Sequence, residues 1–467
     1  MTGDEPSAFS LDGRLFQFEA PVQAGLGAGA LVHLVDPERT QVAQIEALST
    51  VAGDRVSGSG TILGVLVTSH ELDTRRSHPF SWAAVAGATP DTSALVYGDS
   101  STGLRMGTLL GNPSSEARVL AHRFNRHTFW CGQSGSGKTY ALGVLLEQLL
   151  VHTALPLLIL DPNSDFVRLR EHRPGQVDEV SAADRNALAG RDIRVLRPTS
   201  DDGPDALRVR FVTLPLTAKA AVLRLDPVVD REEYGELIRT DVSSVSRESA
   251  NILERLRERG TSAAHALADR IENLGVLDWS VWSYGHGTVT DIVDERPDAT
   301  VLDLGGFDHP DEHLVVALAV LDDLWAKREQ RRPLLIVIDE AHNLCSPDTR
   351  SPLHDAVRER IIQIAAEGRK FGLWLLLSTQ RPSKIHPNVL SQCDNLALLR
   401  MSSPSDLAEI GDVFGFAPAA MLARSPRFRQ GEALFAGGFV AAPTLLQVGD
   451  RLTVEGGIDV PVPRRPT

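Results

Sequence analysis

The sequence predicts an α/β protein: a parallel sheet interrupted by a helical insertion and preceded by a small all-β domain. Three observations carry that expectation. Residues 8–110 contain short apolar stretches separated by turn-forming clusters, the rhythm of a small barrel or sandwich. From about residue 125 strand-like apolar runs alternate with helical periods, which is how a parallel sheet with crossover helices is written. Between residues 214 and 277 the alternation stops and helical periodicity takes over. A chain of 467 residues has room for about three domains at roughly 150 residues each. Its 42% hydrophobic content is enough to build cores, which excludes a disordered or collagen-like chain.

In chain order, the β region shows apolar runs at 15–18, 30–35, 61–67 and 94–97, with Gly58-Ser59-Gly60 as a turn cluster. It contains no catalytic cluster, so its plain reading is an assembly or docking module. Sheet strands are expected at 128–131, 155–160, 193–196, 300–304, 334–338, 373–377 and 397–399. Within the insertion, Ala264, Leu267, Ala268, Ile271 and Leu274 follow the i, i+3, i+4, i+7 spacing of an amphipathic helix, with Thr261 or Ser262 as N-cap. Residues 221–295 hold 15 acidic residues against 8 arginines, as a solvated helical face would.

The formal net charge is −14, which excludes a protein that coats nucleic acid along its whole surface. The first residues, MTGDEPSAFS, are acidic and polar where an export signal needs a basic start and an apolar run. The most apolar window, 141–160, is broken by Glu147, Gln148 and His152, so no membrane span is expected. Cys131, Cys345 and Cys393 lie far apart with no metal-binding spacing. The expected setting is the reducing cytoplasm. Only five lysines occur, Lys138, Lys219, Lys327, Lys370 and Lys384, so each merits inspection.

The strongest chemical signal is Gly132-Gln133-Ser134-Gly135-Ser136-Gly137-Lys138-Thr139, a complete P-loop between a strand and a helix beginning near Tyr140. Glycines let backbone N–H groups surround phosphates without a Cβ in the way, and the helix N-terminus adds its positive dipole end. The loop from Gly132 through Tyr140 is therefore the expected ATP cradle. Lys138 is expected on the β- and γ-phosphates and the Thr139 hydroxyl on Mg2+. The run Leu334-Leu335-Ile336-Val337-Ile338 ends in Asp339-Glu340. In a P-loop protein such a strand delivers a metal-holding carboxylate, Asp339, and a base for the attacking water, Glu340. The following apolar run ends in Ser378-Thr379-Gln380, making Gln380 the expected polar sensor of the γ-phosphate.

Two arginines are candidates for a finger reaching a neighbouring subunit's nucleotide. Arg369 closes a helix whose positions Leu353, Val357, Ile361 and Ile364 face the core, and Arg126 precedes the P-loop strand; at a helix end Arg369 could equally satisfy carbonyls. Between residues 369 and 400 there are five basic residues and one acid, Asp394. Arg381 and Lys384, in the loop after the sensor strand, are the candidate DNA-phosphate contacts. No base-reading motif is present, so any binding would be sequence-independent.

Taken in order, these segments resemble the HerA/FtsK class of hexameric DNA-pumping ATPases, and HerA more than FtsK. The resemblance is carried by Gly107-Thr108-Leu109-Leu110-Gly111-Asn112-Pro113, the P-loop, Leu160-Asp161-Pro162-Asn163-Ser164-Asp165-Phe166, Ile338-Asp339-Glu340-Ala341-His342, Glu367-Gly368-Arg369-Lys370-Phe371-Gly372 and Ser378-Thr379-Gln380-Arg381-Pro382-Ser383. Gly456-Gly457-Ile458-Asp459-Val460-Pro461 looks like the family's C-terminal arm. Asn163-Ser164-Asp165 stands where the family has His-Gly-Glu, with Asp161 as a support for the site.

The resemblance implies an N-terminal barrel of the HAS type at 1–112, a RecA-like P-loop NTPase core at 113–212 and 291–442, a helical insertion at 213–290, and an arm at 443–467 that reaches across a neighbouring subunit. It also implies a homohexamer with ATP sites at subunit borders and double-stranded DNA in a central pore. Family members work with a nuclease or another effector, a sirtuin-like enzyme among the candidates, in DNA end processing or anti-phage defence. Two other classes fit the P-loop: a nucleotide-dependent scaffold that recruits an effector enzyme, and a related motor that moves protein in a secretion machine. The second would be expected to carry a membrane-docking element, which the sequence does not display.

Overall fold

The computed structural model describes residues 5–51, 53–97, 103–175, 178–199, 203–240, 250–283, 285 and 287–457. Chain contacts gather the protein into two compact units, residues 1–153 with 380–383 and 393–452, and residues 154–379 with 384–392 and 453–467.

The first unit opens with a closed barrel. Strands Ser7–Ser10, Leu15–Pro21, Arg55–Thr68, Thr40–Thr50, Leu31–Val35 and Phe80–Gly87 pair in that cyclic order, and the pairing of Leu15–Pro21 with Arg55–Thr68 closes the ring. The choice the sequence left open between barrel and sandwich is thus resolved. Along Leu15–Pro21 burial alternates, with Phe16, Phe18 and Ala20 inward. They meet Val32, Leu34, Ala43, Ile45, Ile62, Ala83 and Val85 in one core, so the period-two pattern is what fixes strand register.

Two expectations fail here. Gly58-Ser59-Gly60 is not a turn but the middle of the long strand Arg55–Thr68. A Cβ at Gly60 would lie 1.9 Å from the Gln44 carbonyl oxygen, and one at Gly58 would lie 2.5 Å from Cε1 of Phe18. The glycines are there because neighbouring strands and rings come too close for a side chain. The run 94–97 belongs to a helix, Pro90–Tyr97. Thr89 opens it by accepting the Thr92 N–H at 3.2 Å, a hydroxyl before a first-turn proline; four apolar residues alone cannot distinguish strand from helix.

Beyond the barrel, the first unit holds the strand His127–Cys131, parallel to Cys393–Leu398. The sheet then continues antiparallel through Glu432–Gly437, Thr444–Val448, Gly103–Leu109 and Asn112–Leu120. Residues 444–448, expected at the start of an arm, are therefore a sheet strand of their own chain. Gln44 of the barrel donates to the Pro443 carbonyl at 2.8 Å. Residues 458–467, which include the Ile458-Asp459-Val460-Pro461 stretch, lie outside the described residues.

The second unit is built on five parallel strands in the order Ile193–Leu196, Ala299–Asp303, Leu157–Asp161, Leu334–Ile338, Leu373–Thr379. The residues of Leu157–Asp161, Ala299–Asp303 and Leu334–Ile338 are all buried, as continuous apolar strands covered on both faces should be. Among the described residues between 216 and 294 the regular elements are helices, one of them Ser262–Leu274, where the Thr261 side chain accepts the Ala264 N–H at 3.2 Å. The helix Pro352–Glu367 buries Leu353, Val357, Ile361 and Ile364, as their spacing predicted.

Candidate functional site

The expected site residues fall into two sets, one on each unit. In the first unit the buried strand His127–Cys131 runs into the glycine-rich loop, and the helix Lys138–His152 begins at its end. Gly135 and Gly137 have φ of 70° and 89°, left-handed values that glycine adopts without strain. A Cβ at Gly132 would press against Ser136 Oγ at 2.7 Å and Leu399 Cβ at 2.8 Å.

The loop is braced from outside. Gln133 N–H donates to the Arg400 carbonyl at 2.9 Å, the Gln133 side-chain oxygen accepts the Ser402 N–H at 3.0 Å, and Gly431 N–H donates to the Ser136 carbonyl at 2.9 Å. Gln133 is thereby engaged in holding the loop. Ser134 and Gly135 are exposed at the tip, while Lys138 and Ser136 are buried. The Ser136 hydroxyl is buried with no hydrogen-bond partner, as expected of a group that waits for a ligand. Thr139 follows Lys138 in the helix's first turn. Tyr140, expected to close the cradle, accepts the Arg451 N–H on its hydroxyl oxygen at 2.8 Å.

One residue that the sequence reading missed here is Arg400, whose Nη2 donates to the Gly135 carbonyl at 3.0 Å. It had counted only as part of a basic stretch; the signal was its position just after the strand parallel to the P-loop strand. Arg126 is exposed and 3.9 Å from the Asp394 carboxylate, and Arg381 is exposed.

The second unit gathers the acidic set. Asp339 is buried at the end of Leu334–Ile338 and accepts a 2.6 Å bond from the Ser378 hydroxyl. The parallel register pairs Ile338 with Leu377, so the next residues, Asp339 and Ser378, meet side by side. Asp161, at the end of the neighbouring strand, accepts the N–H groups of Asp165 at 3.0 Å and Phe166 at 2.7 Å. Oxygens from Asp161, Asp165 and Asp339 all lie within 4.8 Å of one another. Burial, reinforced by the charges of Asp339 and Asp165, pushes the Asp161 carboxyl up to about 7 despite its two backbone bonds. Hard carboxylate oxygens crowded in this way suit a small divalent cation.

Asp165, which stands where the family has the Glu of His-Gly-Glu, thus belongs to this group. Gly456 and Gly457 pack over its turn: a Cβ at Gly456 would be 1.8 Å from the Ser164 carbonyl oxygen, and one at Gly457 would be 2.4 Å from Asp165 Oδ1.

Glu340 sits in the left-handed region with φ of 43°, a conformation that costs a non-glycine residue on the order of 1–3 kcal/mol and tends to occur at functional sites. Its Oε2 lies 3.3 Å from His342 Nδ1, and the same nitrogen is 3.1 Å from Thr379 Oγ1. Thr379 ends the strand that Gln380 follows. Arg369 is half-buried in the 3-10 turn Gly368–Phe371. Lys384 is exposed and pairs with exposed Asp348 at 3.3 Å, a contact worth about 0–1 kcal/mol and readily exchanged.

A family profile described as "Helicase HerA, central domain" matches residues 104–323. The "DNA double-strand break repair helicase HerA" of Sulfurisphaera tokodaii is 23% identical over 387 residues, 79% of this chain and 73% of its own length. The protein of that description from Pyrococcus furiosus is 23% identical over 412 residues, covering 77% and 72%. Among solved structures, VirB4 of Thermoanaerobacter pseudethanolicus superposes with a TM-score of 0.51 at 15% identity, over 76% of this chain and 98% of that one; that likeness concerns the fold. Among the described residues no helix is long and apolar enough to cross a membrane.

Proposed function

We propose that the chain, whose residues 104–323 match the HerA central-domain profile and which is 23% identical to HerA helicases over most of its length, is a HerA-type P-loop ATPase: a homohexameric motor that couples ATP hydrolysis to movement along double-stranded DNA. It would do so as the motor of a complex with a nuclease or other effector docked on the barrel, in DNA end processing or anti-phage defence. The observation that carries the reading is the presence in one chain of a complete, braced P-loop and of a buried strand, Leu334–Ile338, followed by Asp339-Glu340. The divisions proposed are a barrel at 1–112, a core at 113–212 with 291–442, a helical insertion at 213–290 and a C-terminal segment at 443–467, of which the strand Thr444–Val448 pairs within its own chain. The relatives named as DNA-repair helicases support the choice of cargo, as does the net positive stretch from 369 to 400 in an acidic chain.

In this reading the backbone from Gly132 to Gly137 cradles the phosphates and the Lys138 ammonium neutralises their charge. Mg2+, when bound, would screen the phosphate oxygens, with the Thr139 hydroxyl and the Asp339 carboxylate to hold it; the crowded carboxylates around Asp339 suit that charge. Glu340 takes a proton from the attacking water, and Gln380 orients that water. Arg369 or Arg126 reaches a neighbour's nucleotide, so turnover waits for assembly. Arg381 and Lys384 hold phosphates of the duplex, exchanging internal partners such as Asp348 for DNA.

The test is steady-state ATPase with and without duplex DNA at low salt. The expected result is a rate that rises severalfold with duplex and falls back as salt is raised. A rate indifferent to DNA, with no DNA binding by the assembled protein or its complex, would leave the scaffold reading in its place.

A further inference from the structure

We infer, on the reading of the P-loop as the nucleotide site, that Arg400 is a positioning residue that holds the glycine-rich loop in its phosphate-binding shape and so sets the affinity for ATP and ADP alike. Arg400 meets the loop twice. Leu399 N–H donates to the Cys131 carbonyl at 2.8 Å, and Gln133 N–H donates to the Arg400 carbonyl at 2.9 Å. The parallel pairing of His127–Cys131 with Cys393–Leu398 thus continues past both strands and into the loop. The side chain then returns to the exposed tip, where Nη2 donates to the Gly135 carbonyl at 3.0 Å. Its Nε is buried with no hydrogen-bond partner, so among the described residues the Gly135 carbonyl is the hydrogen bond that this side chain makes.

The effect on the loop follows from the peptide plane, in which C=O and N–H point to opposite sides. With the Gly135 carbonyl drawn toward Arg400, the Ser136 N–H turns back across the loop and donates to the Gln133 carbonyl at 3.1 Å. Residues 133–136 thereby close a β-turn whose third residue, Gly135, has the positive φ of 70° that glycine supplies. The next peptide is held in the same sense: Gly431 N–H donates to the Ser136 carbonyl at 2.9 Å, which aims the Gly137 N–H to the other side. Glycine loses more conformational freedom on ordering than any other residue. A glycine-rich loop that is already held in one shape has less of that freedom left to lose when phosphates bind, and preorganisation of this kind raises affinity. The loop cradles the α- and β-phosphates, which ATP and ADP share, so both should feel the brace equally. A direct contact with the γ-phosphate would single out ATP.

The test measures Kd for ATP and for ADP in the presence of Mg2+, with steady-state kcat and KM for ATP, on the full-length wild type, Arg400→Met, Arg400→Lys and Lys138→Ala. Methionine keeps an apolar stem and removes every donor. The main-chain bond from Gln133 persists in each variant, and thermal unfolding without nucleotide checks that the fold is kept. Arg400→Met should weaken ATP and ADP by about tenfold each, the scale of one lost charge-assisted hydrogen bond. KM should rise in step and kcat stay within about twofold, the pattern of a loss shared by ground and transition states. Arg400→Lys keeps the charge and a donor for the Gly135 carbonyl but not the guanidinium's reach; it should lose about threefold on both nucleotides, so the equality is read even where the methionine variant is unstable. Unchanged affinities, a loss confined to ATP, or a fall in kcat at constant Kd overturns the inference. A wild-type protein that binds neither nucleotide, or a Lys138→Ala protein that binds both as tightly as wild type, overturns the P-loop reading itself.

Discussion

Lys138→Ala is expected to lose ATP turnover by on the order of 100- to 1000-fold, the scale set by removing one preorganised charge partner of a transition state. Glu340→Gln is expected to lose on the order of 100-fold or more, the contribution of a positioned base. The two should part in binding. Lys138 is buried at the start of the helix that follows the loop, so its ammonium is fixed where phosphates are expected. Its loss weakens nucleotide affinity as well as rate. Glu340 lies on the other set of residues, and glutamine keeps its volume, so the Glu340→Gln protein should still bind ATP. Titration with a fluorescent ATP analogue beside a phosphate-release assay reads both. Turnover near the wild-type rate in either variant, or loss of binding in Glu340→Gln, contradicts the roles given to them.

Reversing Arg381 and Lys384 to glutamate is expected to abolish stimulation of the ATPase by duplex DNA, judged against the same variant's rate without DNA. Both side chains are exposed, so reversal adds no buried charge and any loss is electrostatic in origin. Each removed phosphate contact should also lower the slope of log affinity against log salt by about 1 per residue and subunit. A salt titration of DNA binding therefore distinguishes a lost contact from a misfolded protein. A scaffold that merely assembles on nucleotide would keep its complex and its activity with both charges reversed.

The sheet strands were legible because buried parallel strands are written as uninterrupted apolar runs; residues 193–196 and 334–338 were read at their observed bounds. The P-loop and the Asp339-Glu340 pair were legible because their chemistry needs those residue types at fixed spacing. What stayed hidden depended on contacts across the chain. Gly58 and Gly60 look like a turn until Phe18 and the Gln44 carbonyl occupy the space a side chain would take. The 444–448 strand has no signal separating it from an arm until Gly103–Leu109 pairs with it. Arg400, Ser378 and Asp165 acquire a role only through the neighbours that the register supplies: the Gly135 carbonyl, Asp339 and the carboxylate of Asp161.

Movement along duplex DNA driven by ATP is the central claim, and displacement of a labelled third strand from a triplex site reads it most directly. The assembled protein, with its effector if that is needed for loading, is expected to release the third strand in the presence of ATP and Mg2+. It should do so at a rate that grows with ATP and vanishes in Lys138→Ala. A protein that hydrolyses ATP in the same tube and leaves the triplex intact would contradict the account.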